Sequence, residues 1–268
     1  MHARPFNADP APAHAVASRR SKGSALPRCN EAGRRGRERS AAVSRIAGAL
    51  LVLVACSAAR AQWDGTITAL SDHRFRGVSL SNERPGLQLA ANYDAPGGWY
   101  LGASGTRVAV GGGRRYTEVS AYAGLVVERT RSPSWEVGAV GSHFVGDSTH
   151  DYAEVYGGLI GERWNTRLYL SPDYFGRGVA TAYLEGNATL PLGETLRLLG
   201  HAGLLAGHGG GPGSDAGTAR VDLRLGIGIA RRGLDLQLAW AAARRGGPYP
   251  AVYDARRSAW LASASLSF

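Results

Sequence analysis

The alternation of apolar and polar side chains constrains the fold of this chain more than any other feature. It is clear at the end, over residues 257–268. One face of that stretch holds Trp260, Ala262, Ala264, Leu266 and Phe268, and the other holds Leu261, Ser263, Ser265 and Ser267. A period of two residues predicts a β-strand. We expect this strand, which ends on an aromatic residue, to pair with the first strand of a closed barrel, because an open edge in lipid leaves backbone groups unsatisfied.

The same alternation recurs between turns from Trp63 onward and predicts twelve antiparallel strands. We place them near residues 63–78, 85–94, 98–108, 115–129, 134–144, 152–162, 164–172, 179–190, 195–206, 219–231, 233–243 and 257–268. Bacterial single-chain membrane barrels have an even number of strands, as here. A soluble or periplasmic β-sandwich would show the same alternation, so the pattern alone leaves both architectures open.

Loop lengths and tryptophan positions favour the all-β transmembrane barrel. The connections alternate between short, as near 95–97 and 191–194, and long, as near 145–151 and 207–218, which is typical of outer-membrane barrels. Four tryptophans open the first, third, fifth and seventh strands and would share the periplasmic end with the last residue. Amphipathic rings prefer the headgroup level of a membrane. The predicted periplasmic aromatic girdle is Trp63, Trp99, Trp135, Trp164 and Phe268.

The segment before the first strand has the pattern of a secretory signal peptide. Residues 46–55 are an apolar run behind Arg45, and the small residues Ala59 and Ala61 follow. A basic flank, a short apolar run and a small-x-small site are typical of such signals, and the run is too short to span a membrane as a helix. We therefore assign residues 44–61 to a signal peptide.

Two processing routes remain open at this site. Cleavage after Ala61 would release a barrel of residues 62–268, whereas a lipoprotein-like box ending at Cys56 would place a lipid on that cysteine. Residues 1–43 are rich in Arg, Ala and Pro and lack apolar periodicity. They are expected to be disordered, or to result from a translation start assigned too far upstream.

The positive net charge does not indicate a nucleic-acid partner. The formal net charge is +10, but ten of the 31 basic residues lie within residues 1–45. From Gln62 onward, 20 arginines face 18 acidic residues. The body is therefore nearly neutral, and we exclude nucleic acid as a partner.

Three motifs identify a family resemblance. Residues 71–79 read SDHRFRGVS, and Pro85 and Gln88 follow them. Residues 154–158 read EVYGG and residues 171–176 read SPDYFG. These motifs resemble the TorF family of porin-like proteins, whose first strand typically reads S-D-Y-x-F-R-G-x-S and is followed by P-x-x-Q.

The resemblance covers about Ile67 to Phe268, nearly all of the expected mature chain. The resemblance implies an outer-membrane barrel but does not indicate which solute such a barrel would transport. His73 stands where the family usually has Tyr, and Leu80 where Gln is common, so both could alter a site in this motif. Tyr174, in the third motif, is expected in an upper aromatic girdle or at a solute.

Charged residues on the strand faces opposite the apolar ones are expected to line the lumen. These candidates are Asp72, Arg74, Arg76, Glu118, Glu154, Arg167, Glu185, Arg220, Asp222, Arg224 and Asp235. Both signs occur, so no single-sign ion filter is predicted. The residues at 72, 74 and 76 would share one face of the first strand. They could form a charged constriction, or they could pair with inward charges on neighbouring strands.

No motif for catalysis, a cofactor or a metal was found. Gly-x-Ser-x-Gly is absent, as are the zinc-binding His-x-x-Glu-His and His-Glu-x-x-His patterns and an EF-hand loop. Residues 111–113 are three glycines, but they lack the Lys and the helix of a phosphate loop. We predict no enzyme activity, no cofactor and no metal.

The sequence therefore predicts a porin-like channel in the bacterial outer membrane for passive diffusion of small solutes. The alternative is a closed structural or adhesive barrel without transport. The expected partners are outer-membrane lipid and lipopolysaccharide, which Arg114 and Arg115 could contact, and the barrel-insertion machinery, which reads a C-terminal strand ending like this one in an aromatic residue.

Overall fold

The sheet of this protein closes on itself, because its first strand pairs with its last. In the computed structural model β1 (Trp63–Leu70) runs antiparallel to β14 (Ser258–Ser267), with Thr66 opposite Ser267 and Leu70 opposite Ser263. The backbone N–H groups of Gly65 and Phe268 each donate to the carbonyl of the other. Closure therefore satisfies the backbone groups that an open edge would expose.

Twelve strands form the barrel, in the order β1-β14-β13-β12-β11-β10-β9-β8-β7-β6-β5-β4. Between β1 and β14 the chain forms β2 (Arg74–Phe75), β3 (Val78–Ser79), β4 (Gly86–Asp94), β5 (Trp99–Val110), β6 (Arg114–Val127), β7 (Ser134–Val145), β8 (Tyr152–Ile160), β9 (Trp164–Ser171), β10 (Val179–Pro191), β11 (Leu196–Gly209), β12 (Arg220–Arg231) and β13 (Leu234–Ala243). Two single 3-10 turns, Ser148–His150 and Tyr174–Gly176, lie in the connections after β7 and β9. The predicted closed barrel is confirmed.

The structure describes residues 63–268 except 111–113, 130–131, 210–218, 245 and 249–256. The predicted extension over residues 1–43 and the predicted signal peptide over 44–61 lie outside the described residues. None of the described residues belongs to a helix that is long and apolar enough to cross a membrane.

The barrel is apolar outside and polar inside. The outward side chains of β12 are exposed: Val221, Leu223, Leu225, Ile227 and Ile229. The exposed fraction is 63% for Leu225 but only 2% for the inward Arg220 on the same strand. A soluble sandwich would bury the apolar face, so that alternative is wrong. The exposed apolar face suits contact with lipid chains.

The five predicted girdle residues all lie at one end of the barrel. Trp63, Trp99, Trp135 and Trp164 are at or next to the first residues of β1, β5, β7 and β9, and Phe268 directly follows β14. All five side chains are exposed, and the ring of Trp63 contacts that of Tyr93 at 4.8 Å. Their placement is the predicted one, and their contact with membrane headgroups stays a prediction.

The first strand is shorter than predicted. It ends at Leu70 rather than near residue 78, and residues 71–81 fold into the barrel as a plug hairpin built on β2 and β3. Its turn residues, Arg76 and Gly77, have φ of 47° and 77°. Two successive positive φ values are typical of a type I′ turn, which reverses the chain between short strands. The other eleven barrel strands begin and end within about three residues of their predicted bounds.

Inward tyrosines pack against inward glycines on neighbouring strands. Tyr122 is opposite Gly102, Tyr100 is opposite Gly124, and Tyr156 is opposite Gly138. A Cβ atom at Gly138 would lie 2.5 Å from the Tyr156 ring. These rings therefore lie flat along the wall only because the facing residue has no side chain.

We predict that Gly138→Val lowers the free energy of unfolding by about 1–3 kcal/mol, because the new side chain displaces Tyr156. The matched control is Gly141→Val on the same strand, where an added Cβ atom meets nothing within 4 Å. Urea unfolding in detergent micelles, followed by tryptophan fluorescence, measures both variants. Equal stability of the two would contradict this account of the glycine.

Candidate functional site

Asp72 organises the plug hairpin from within. Its carboxylate accepts hydrogen bonds from Arg74 Nε at 2.8 Å, Ser79 Oγ at 2.6 Å and Ser81 Oγ at 2.8 Å. The amide of Leu80 donates to the carbonyl of His73 at 2.8 Å. Asp72, Arg74 and Ser79 of the 71–79 motif therefore bond to one another and shape a hairpin; the motif does not continue the first barrel strand.

Hydrogen bonds from the barrel wall hold the backbone of the plug. Arg220 Nη2 donates to the carbonyl of Gly77 at 3.1 Å, and Arg224 Nη2 donates to that of Arg74 at 3.4 Å. The amide of Ala109 on β5 donates to the carbonyl of Leu80 at 2.5 Å. Two residues predicted to line an open lumen, Arg220 and Arg224, thus contact the plug.

Arg76, at the tip of the plug, makes its most extensive side-chain contacts with the wall. Its Nη1 and Nη2 atoms donate to the two oxygens of Glu154 at 2.8 and 2.7 Å. The guanidinium also lies 4.2 Å from the ring centre of Tyr183 and 5.1 Å from that of Tyr169. A bidentate ion pair that is surrounded by aromatic rings is a strong and directional contact.

Aromatic side chains fill the same end of the barrel. Tyr152 and Phe175 stack with ring centres 4.7 Å apart, and Tyr174 meets Tyr152 edge-on at 5.0 Å. Phe144 and Tyr174 are fully buried. Tyr174 therefore points into the barrel, and its expected place in an outer aromatic girdle was wrong. The reason is the 3-10 turn at 174–176, where Phe175 and Gly176 have positive φ values and fold the loop inward.

A second ionic layer lies nearer the tryptophan end. Arg167 Nε donates to Glu136 at 2.6 Å, and Arg167 Nη1 lies 3.8 Å from Glu185. Tyr100 also donates to Glu136, at 2.7 Å. Glu136 was missed from the sequence, although it directly follows the outward-facing Trp135 and alternation places it inside.

The remaining predicted lumen residues also face inward and have partners. His73 approaches Glu118 at 3.8 Å. His201 bonds to Asp222 at 2.9 Å and to Asn187 at 2.7 Å. Arg197, which shares the face of His201 but is not among the eleven candidates, pairs with Asp235. All eleven candidates therefore lie inside the barrel or in the plug, and their role as pore lining stays a prediction.

The interior is not filled evenly. A cavity of about 70 Å³ remains next to the β1–β14 seam. Hydroxyl and amide side chains of the wall line it, together with three apolar wall residues: Thr68, Gln88, Gln237, Ser263 and Ser265, with Leu70, Leu261 and Ala262. Asp72 and Arg74 of the plug and Arg224 of β12 complete the lining. The buried tyrosines of the strands, by contrast, are on β5, β6 and β8–β10, where the interior is packed.

The described interior was searched for groups that could hold a metal ion. Within the described part of the chain, no group of three or more His, Cys, Asp or Glu side chains is placed to hold a metal ion. The charged side chains form ion pairs and hydrogen bonds with one another. What the arrangement can do is present a polar, charged lining next to a small cavity.

Sequence comparison provides a family for this barrel. A family model described as a bacterial protein of unknown function, Gcw_chp, matches residues 55–268. The chain belongs to the Gcw_chp family. No curated protein sequence matches it, and the resemblance to TorF proteins stays a resemblance.

Solved structures similar to this Gcw_chp chain are membrane barrels. The NanC porin and the KdgM porin are each 10% identical, over 76% of this chain and 97% and 99% of theirs, with TM-scores of 0.49. Omp33 of Acinetobacter baumannii is 6% identical, over 77% of this chain and 95% of that one, with a TM-score of 0.47. Similarity at this level carries no inference about a ligand or an activity.

We predict that Glu136→Ala in this Gcw_chp barrel lowers the free energy of unfolding by about 3–5 kcal/mol, because it leaves Arg167 buried without its main carboxylate. Glu128→Ala, at an exposed position after β6, serves as the control and should change stability by less than about 0.5 kcal/mol. Urea unfolding measures both. A small effect of Glu136→Ala would mean that water or Glu185 compensates Arg167.

Proposed function

We propose that this chain is a porin-like barrel of the bacterial outer membrane through which small polar solutes diffuse passively. Passage would follow the hydroxyl-lined wall beside the β1–β14 seam. The plug hairpin would form the constriction. No chemical step is involved in this function, and the chain is not proposed to be an enzyme.

The cavity beside the seam is the observation that carries this proposal. Its wall side carries hydroxyl and amide groups, which can exchange hydrogen bonds with a passing solute or with water. Thr68, Ser263 and Ser265 are only partly buried, unlike the tyrosines and arginines across the lumen. A cavity of about 70 Å³ holds a few waters at most, so movement of the plug would set the size of the solute.

A closed barrel without transport is the second candidate. The packed interior favours it: Arg76, Glu154, Arg167 and Glu185 are almost fully buried in ion pairs. Such a barrel would present its loops at the cell surface while its lumen stays shut. The two candidates differ in one measurable property, ion conductance.

The outer-membrane location and its partners belong to the same proposal. A bilayer with lipopolysaccharide in its outer leaflet suits the exposed apolar belt, the closed sheet and the placement of four tryptophans at one end of the barrel. Phe268 directly follows the last strand, and its ring packs over Gly65 of β1. Delivery by a signal peptide and insertion by the barrel-insertion machinery are expected to precede this state.

We predict that the purified protein gives discrete conductance steps in a planar bilayer and that Ser263→Phe reduces the step size by more than about half, because the ring fills the cavity. The matched control is Ala264→Phe, the adjacent residue on the outer face of β14, which should leave the step size unchanged.

Heat-modifiable gel mobility shows whether each protein is folded before it is tested. If folded wild-type protein gives no conductance steps, the channel proposal is wrong and the closed barrel is supported. Equal steps in both phenylalanine variants would place the conducting path away from the seam.

A further inference from the structure

The contacts of Arg76 come mainly from the barrel wall. Glu154 is on β8, Tyr169 on β9 and Tyr183 on β10, while Tyr174 belongs to the turn after β9. Their ring centres lie 5.1, 5.3 and 4.2 Å from the guanidinium carbon for Tyr169, Tyr174 and Tyr183. The wall therefore supplies one carboxylate and two aromatic rings around a single cation, and the turn after β9 supplies a third ring.

The rings of this site also contact wall residues outside the plug. Tyr169 packs between Tyr156 and Tyr183, with ring centres at 5.2 and 6.2 Å. Tyr174 meets Tyr152 edge-on at 5.0 Å. These contacts do not involve the plug, so the wall can keep the rings in position when Arg76 is absent.

The chemistry of the site selects a flat organic cation. Both oxygens of Glu154 are used in a fork that a planar guanidinium fits and a compact ammonium does not. Aromatic faces attract such cations further, more strongly where water is excluded. Among the described residues, Arg76 is the cation within ion-pair distance of Glu154. A buried carboxylate needs a positive partner, so loss of Arg76 would favour a replacement cation.

We propose that Glu154, Tyr169, Tyr174 and Tyr183 form a binding site for a guanidinium-type organic cation, and that Arg76 occupies it as an internal ligand that holds the plug in the lumen. A solute with this group would compete with Arg76 for the site and release the plug tip. This inference rests on the proposed solute passage, because the external cation reaches the site through the same lumen.

The test uses the Arg76→Ala variant with methylguanidinium as the probe. Its thermal unfolding midpoint, followed by heat-modifiable gel mobility, should rise by about 3–6 °C at ten times the dissociation constant. We expect that constant near about 1 mM, the range of a small cation held by one ion pair and three rings. Methylammonium at equal ionic strength should give a smaller rise, because it lacks the fork.

Three controls separate the site from general effects. The wild-type protein and Arg84→Ala, which changes an exposed arginine of the same connection, keep Arg76 in the site and should show a clearly smaller rise, because Arg76 competes with the probe. The double variant Arg76→Ala with Glu154→Gln should need at least about tenfold more probe. An equal rise in the single and double variants, or no rise in folded Arg76→Ala, overturns the proposal.

Two further outcomes are decisive. If Arg76→Ala does not fold, methylguanidinium should restore its refolding yield, and failure to do so while Arg84→Ala refolds normally overturns the proposal. If no variant conducts in a planar bilayer, the proposed channel function fails, whereas the thermal shift still decides the cation site. The two failures are therefore distinguishable.

Discussion

Pairing of β1 with β14 is the constraint on which the rest of this structure depends. A sheet in lipid cannot leave a strand edge unpaired, because no water is present to satisfy its backbone groups. Once the sheet closes, each strand has one face toward lipid and one toward the lumen. Apolar side chains must take the outer face, and every charged side chain of a strand centre is then forced inside.

The polar interior follows from this division. Charges enclosed in a narrow barrel are costly unless each meets an opposite charge or a hydrogen-bond donor. Arg167 lies between Glu136 and Glu185, His201 meets Asp222, and Arg197 meets Asp235. The plug hairpin extends the same principle, since it brings Arg76 to Glu154, a carboxylate on the wall. The described part of the lumen is thus filled mainly by ion pairs and tyrosines, and a small cavity remains beside the β1–β14 seam.

Period-two alternation was enough to predict the strands, their number and the inward position of the charged residues. It worked because each barrel strand from β4 onward is regular and the outer face is almost purely apolar. It failed at residues 71–78, because alternation there continues in a hairpin that has left the sheet. The chain reverses through the positive φ values of Arg76 and Gly77, and a sequence gives no direct measure of φ for an arginine. The ion-pair partners were also beyond prediction, since they depend on side chains from distant strands meeting across the lumen, as Arg76 and Glu154 do.

The plug is covalently tied to the barrel at both of its ends, to β1 at Leu70 and to β4 at Gly86. Arg76 therefore faces its site at a high effective concentration, of the order of millimolar or above for a short tether. Any ion from solution that binds the same carboxylate competes against this local excess. Because both ends of the plug are held by barrel strands, its tip stays within reach of Glu154.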